Sequence, residues 1–179
     1  MKTRKRKEEL TSNTKVPSSP RLLKLYNACR ENAAVLLNEA ELLLNNGHYP
    51  RAFFLALTAL EEIGKSQIVA DYYTGCVSRE EFEKAFTDHK LKIAFNERYI
   101  DIQSGELTYD RSTATELWEK RLQALYVQCK SDLDSQKPSE MIRKIDAQYI
   151  IDQVKKEFSE LISSEWLNSP RIGSKALLK

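Results

Sequence analysis

GHYPRAFFLALTALEEIGKSQIVADYY, residues 47–73, is the stretch on which the fold turns. From Ala52 to Leu60 only Thr58 interrupts a run of apolar residues; then Glu61, Glu62 and Lys65 arrive together, with Gly64 among them. Gly47 is placed to end one helix and Pro50 to open the next, where a missing N–H costs nothing. A helix apolar on nearly all sides is a buried one. Arg51, Glu61, Glu62 and Lys65 break up the run of roughly 18 apolar residues that a membrane span needs. The segment reads as the central helix of a bundle, over 50–73, with charge where a core belongs.

Upstream, Leu22, Leu25, Cys29, Ala33, Leu36, Leu37, Ala40, Leu43 and Leu44 recur at three- and four-residue spacings. This predicts a helix over 20–46, capped by Ser18 or Ser19, antiparallel to the central one across a short turn. Downstream, Ser78 and Glu81 have capping-box spacing, and Phe82, Ala85, Phe86, His89 and Ile93 form the stripe of a helix running to Tyr99. Residues 102–111 contain a Gly and lack helical period, which predicts a loop. Leu117, Trp118, Arg121, Leu122, Leu125 and Cys129 predict a helix over 113–132, and 135–145 reads as irregular. Asp146 is placed to cap a last helix over 147–166, along Ile150, Ile151, Val154, Phe158, Leu161 and Ile162. The expected fold is all-α, an antiparallel bundle of about five helices.

A chain of 179 residues is the size of one domain. Its net charge of +2 hides an asymmetry: in the first twenty residues six basic side chains face two acidic ones, so the remainder is slightly acidic. Residues 1–18 read as a disordered basic arm, either solubilising or in contact with RNA or a ribosome; it lacks aromatics to stack on bases. Residues 19–167 form the helical domain, and 168–179 read as a frayed tail. Three Cys without a Cys-x-x-Cys pair argue against a zinc finger or a disulfide framework. With no secretory signal and no membrane span, the expected location is the cytoplasm.

The run G47-x-Y-x-x-A52, followed by A59-L-E-E-I-G-K65, resembles the AbiV type of abortive-infection proteins, a branch of the HEPN helical superfamily. F86-T-D-H89-K-L-K92 is similar to that family's F-x-x-H-x-x-K element. K120-R-L-Q-A-L-Y-V127, with Pro138 after it, is similar to its basic-x-x-A-L-Y-V segment. The resemblance covers about 28–158. It implies a HEPN-like bundle and a role in bacterial anti-phage defence, with RNA, the translation machinery or a phage protein as partner. HEPN-like domains often pair, so a symmetric homodimer is expected, and no cofactor is implied. Many HEPN proteins are metal-independent ribonucleases with an Arg, four to six residues, then a His. Here Arg79 stands ten positions before His89, and Lys84 occupies the matching spacing.

The candidate catalytic residues are Glu62, Lys65, His89 and Lys92. Glu61, Arg121 and Tyr126 are candidate binding residues. Glu61 and Lys65, four apart, make a favoured surface pair, with Glu62 turned about 100° away from Glu61 as a buried, hydrogen-bonded carboxylate. Alternatively, Glu62 and Lys65 line a polar pocket. A charge near a core needs a partner, and the helix of His89 and Lys92 offers one: Glu61 or Glu62 should meet His89 or Lys92. Three readings stay open for His89: a structural bond to a carboxylate, a base that takes the 2′-hydroxyl proton of RNA while Lys92 stabilises phosphate charge, or another ligand contact. Arg121 and Tyr126 either join that pocket or stay at the rim of a core made by Trp118, Leu122 and Leu125. A metal is not expected, because Glu62 and His89 lack two further ligands. Cys29 and Cys129 read as core residues and Cys76 as a turn residue.

Overall fold

The computed structural model describes residues 19–73, 75, 77–100, 107–109, 111–129, 134–163 and 177–178. Helices α1 (Ser19–Asn45) and α2 (Tyr49–Tyr73) form an antiparallel pair. The turn between them is a Schellman cap. Gly47 takes φ +80°, its N–H reaches the carbonyl of Leu44 at 3.1 Å, and the N–H of His48 reaches that of Leu43 at 2.9 Å. α2 is the central helix. Ala52, Phe53, Ala56, Leu57, Leu60 and Ile63 are buried, and α1 and the long last helix pack along it.

The helix expected to run to Tyr99 is two helices, α3 (Arg79–Thr87) and α4 (His89–Ala94), followed by a 3-10 turn at Phe95–Glu97. The Ser78–Glu81 capping box forms at the start of α3. Asp88 causes the break. Its backbone is extended (φ −92°, ψ 107°), and its carboxylate accepts the N–H of Leu91 at 3.1 Å, so it closes one helix and caps the next. Strand β1 (Arg98–Ile100), at the expected end of that helix, pairs antiparallel with β2 (Leu107–Tyr109), which lies in the expected loop.

α5 (Ser112–Leu125) stops well short of residue 132, because Tyr126 turns extended. The chain then leaves the bundle through a two-residue pairing of β3 (Gln128–Cys129) with β4 (Ser135–Gln136). Cys129 is therefore exposed and not core. The inward face of α5 is Ala114, Leu117, Arg121 and Ala124, at spacings of three and four; Leu122 is exposed. Leu117 and Arg121 lie on the expected stripe, but Leu122 and Cys129 do not, and two buried alanines that carry little hydrophobic signal complete the face.

The short helix α6 (Pro138–Met141) precedes α7 (Lys144–Ser163), which buries Ala147, Ile150, Ile151, Val154 and Leu161 against α2. Asp146 lies inside α7, not before it, and reaches back to accept the N–H of Arg143 at 3.0 Å. Ile162 is exposed. Leu177–Leu178 (β5) pair parallel with β1. The basic arm, Cys76 and most of the tail lie outside the described residues. No helix among the described residues is long and apolar enough to cross a membrane.

Candidate functional site

Three elements far apart in sequence meet at Glu61. α2 brings the carboxylate into the interior, where its side chain is 5% exposed. The break at Asp88 sets His89 at the first turn of α4, with Nδ1 2.7 Å from Oε2 of Glu61. α5 brings Arg121, whose Nε lies 3.3 Å from Oε1 of the same carboxylate. Each Glu61 oxygen thus faces a different partner. An ionised carboxylate can only accept, so Nδ1 of His89 donates to Glu61, an arrangement that leaves Nε2 as the outward ring nitrogen. The His89 side chain is 45% exposed, so the ring is held from behind and open in front. His89 is not the buried residue that its place on the stripe with Phe82, Ala85, Phe86 and Ile93 suggested.

Aromatic rings fix the two partners. His89 stacks on Trp118, with centroids 4.7 Å apart and planes 22° from parallel. The guanidinium of Arg121 lies between Trp118, at 4.9 Å, and Phe54, at 4.4 Å. Arg121 donates no hydrogen bond among the described residues, so the outer edge of its fork is uncommitted.

The pairing of Glu62 and Lys65 differs from the favoured expectation. Lys65 takes Glu62, three residues away, and Glu61 is the buried carboxylate. The Glu62–Lys65 pair also faces Cys29 on α1. Burial, with the Glu62 charge adding to it, pushes the Cys29 thiol up to about 12. Lys92 is buried beside Glu61 and Glu62 without a hydrogen bond or ion pair among the described residues. Burial lowers its pKa below the ordinary lysine value, and Glu61 offsets part of that shift.

The expected carboxylate–histidine contact is therefore present, through Glu61. Tyr126 stands apart, exposed beyond the end of α5. Arg79 is also remote from His89 in role, since it pairs with Glu83 at 2.7 Å on the exposed face of α3. Among the described residues, no group of three or more His, Cys, Asp or Glu side chains could hold a metal ion.

Two positioning residues escaped sequence reasoning. A Cβ at Gly64 would lie 2.0 Å from the Lys92 carbonyl oxygen, so only glycine lets α4 approach α2 this closely. Asn96 fastens the same contact. Its Nδ2 donates to the carbonyl of Leu60 at 3.1 Å, and approaches those of Lys92 and Ile93 at 3.2 and 3.1 Å. The available signal was a glycine in mid-helix, where glycine is otherwise costly.

The model of the HEPN_AbiV family, described as AbiV, matches residues 21–158. No curated protein and no solved structure matches the chain.

Proposed function

Because the chain belongs to the AbiV family of HEPN-type proteins, a membership that suggests anti-phage defence, we propose that it works by abortive infection through a site at Glu61, His89 and Arg121 directed at RNA. One observation carries the reading: one oxygen of Glu61 holds the partly exposed His89 through Nδ1, which leaves Nε2 uncommitted, and the other oxygen faces Arg121. On this reading His89 from α4 and Arg121 from α5, both held at Glu61, would stand in for the His and Arg that many HEPN ribonucleases carry on one segment.

In the proposed step Nε2 takes the proton of an RNA 2′-hydroxyl. The 2′-oxygen attacks the adjacent phosphorus, the 5′-oxygen leaves with a proton from solvent, and a 2′,3′-cyclic phosphate remains. The imidazolium returns its proton to solvent. Arg121 offers a planar fork to the phosphate, and Lys92 adds positive charge behind it. Glu61 stabilises the imidazolium. The Glu62–Lys65 pair, next in line on α2, completes the polar floor.

Purified protein incubated with total RNA should produce cyclic-phosphate ends. His89→Ala and His89→Gln should lose about 10²- to 10⁴-fold in rate while remaining folded, as expected for a general base. Full cleavage by a folded His89→Ala protein would end the catalytic reading. A second reading is a non-catalytic module that docks a phage or host protein. It is favoured by the exposed apolar run Leu122, Tyr126 and Val127 at the end of α5. It expects Tyr126→Ser with Val127→Ser, and not His89→Ala, to abolish defence in infected cells.

A further inference from the structure

The outer face of α5 carries side chains that the proposed reaction does not use. Trp118, Leu122 and Tyr126 follow one another at four-residue spacing, so they lie about one turn apart along one side of the helix. Trp118 begins the row against the imidazole of His89, with ring centroids 4.7 Å apart. Leu122 and Tyr126 continue it in the open, and Tyr126 is 57% exposed. The far end of the row is fixed: the N–H of Tyr126 still donates to the carbonyl of Leu122 at 3.0 Å, while its own backbone turns extended. An exposed aromatic ring is thus carried on a helix end and not on a loop.

Tyr126 stands eight residues beyond Trp118, about 12 Å along the helix axis. Bases of a stacked strand are about 3.4 Å apart, so a strand whose phosphate reaches His89 can lay a base on Tyr126 within about four nucleotides. The charges beside the row set the course of that strand. Arg121 lies on one flank, with the outer edge of its fork uncommitted, and the exposed Glu119 lies on the other. Phosphates therefore run on the Arg121 side, with bases turned toward Leu122 and Tyr126. A base needs only one ring face, and stacking tolerates every base. A stable protein interface buries about 800 Å² per partner, more than a single file of three side chains supplies. A paired base keeps its faces within the duplex, so only an unpaired one can use the ring.

We propose that Tyr126 is a base-stacking subsite and that the RNA taken by the site is single-stranded. The inference rests on the RNA-directed reading of Glu61, His89 and Arg121, and adds to it a binding residue away from the reacting phosphate.

The full chain is titrated with a fluorescein-labelled, 2′-O-methylated single-stranded RNA octamer, which cannot form the cyclic phosphate, and binding is read by anisotropy. Tyr126→Ser should weaken binding about five- to a hundred-fold, and Tyr126→Phe, which keeps the ring, by less than about two-fold. Lost stacking leaves the phosphate contacts in number, so wild-type and Tyr126→Ser affinities should fall in parallel as salt rises. The octamer annealed to its complement should bind more weakly than the single strand. Equal binding by wild type and folded Tyr126→Ser, equal losses in Tyr126→Ser and Tyr126→Phe, or a duplex bound as tightly as the single strand would overturn the subsite and leave the cleavage reading standing on its own test. No octamer binding by wild type would also overturn it, and with it the RNA reading if total RNA is left intact. Defence lost in Tyr126→Ser with RNA binding unchanged would overturn it and give this face to a protein partner.

Discussion

Glu61 serves two partners at once, so its removal and theirs should not add. Glu61→Gln leaves Arg121 beside an amide and removes the charge that stabilises imidazolium; a loss of about 1–3 kcal/mol is expected in urea unfolding. Arg121→Met should cost a similar amount, and the double variant less than the sum, because each single change already forfeits their shared contact. Strict additivity would show that the 3.3 Å approach carries no energy. Lys92 gives a pH signature. Its folded pKa lies below the ordinary 10.5, so in the window between the two the unfolded chain holds more protons and stability rises with pH. The stability of wild type relative to Lys92→Met should therefore climb as the pH rises toward the ordinary lysine value of 10.5 in urea titrations, and a flat difference would refute the burial argument. Cysteine labelling tests the same region. The exposed Cys129 should react with iodoacetamide in the native protein, whereas Cys29, buried and with its thiol pushed up to about 12, should react only on unfolding.

At the level of elements, the contact of α4 with α2 is the one on which the site depends. Gly64→Ala places a methyl group on a backbone carbonyl, which cannot rotate away, so α4 must shift. The expected cost is about 1–3 kcal/mol, read as a lower melting temperature; on the proposed RNA-cleaving reading, cleavage should also fall by more than the fraction unfolded. A Gly64→Ala protein with wild-type stability would mean that α4 sits farther from α2 than described. This contact was not legible in the sequence, because a glycine marks a close approach without naming what approaches. The break at Asp88 was missed because the apolar stripe runs through it, while Asp88 acts locally by capping Leu91. In α5 the stripe holds at Leu117 and Arg121, but the inward Ala114 and Ala124 weigh less in the sequence than the exposed Leu122. What was legible was strong and periodic: α1, the central α2, the Gly47 turn, the Ser78–Glu81 box, and the need of a buried glutamate for a partner on the next helix. The choice of Glu61 over its neighbour was not, since adjacent helical residues differ only in which way they face.

For the molecule as a whole, the expected symmetric dimer remains a proposal. Val35 and Leu42, seven apart and therefore on one face of α1, are both exposed and offer an apolar strip for it. Sedimentation at tens of micromolar should give a dimer that Leu42→Lys dissociates; a wild-type monomer would count against pairing. The assembly of the site from α2, α4 and α5 also sets a schedule for the protein's own synthesis. A ribosome releases Glu61 first, His89 next and Arg121 only after the segment between α4 and α5, and α7, which seals α2, comes last. Domains fold as units while the chain emerges. A nascent or prematurely terminated chain ending before Ser112 holds Glu61 and His89 without Arg121 or Trp118 to fix them. On the proposed reading, a cell making this protein would meet the complete site only when nearly the whole domain is finished, so errors in translation would yield inert fragments and not half-controlled ones.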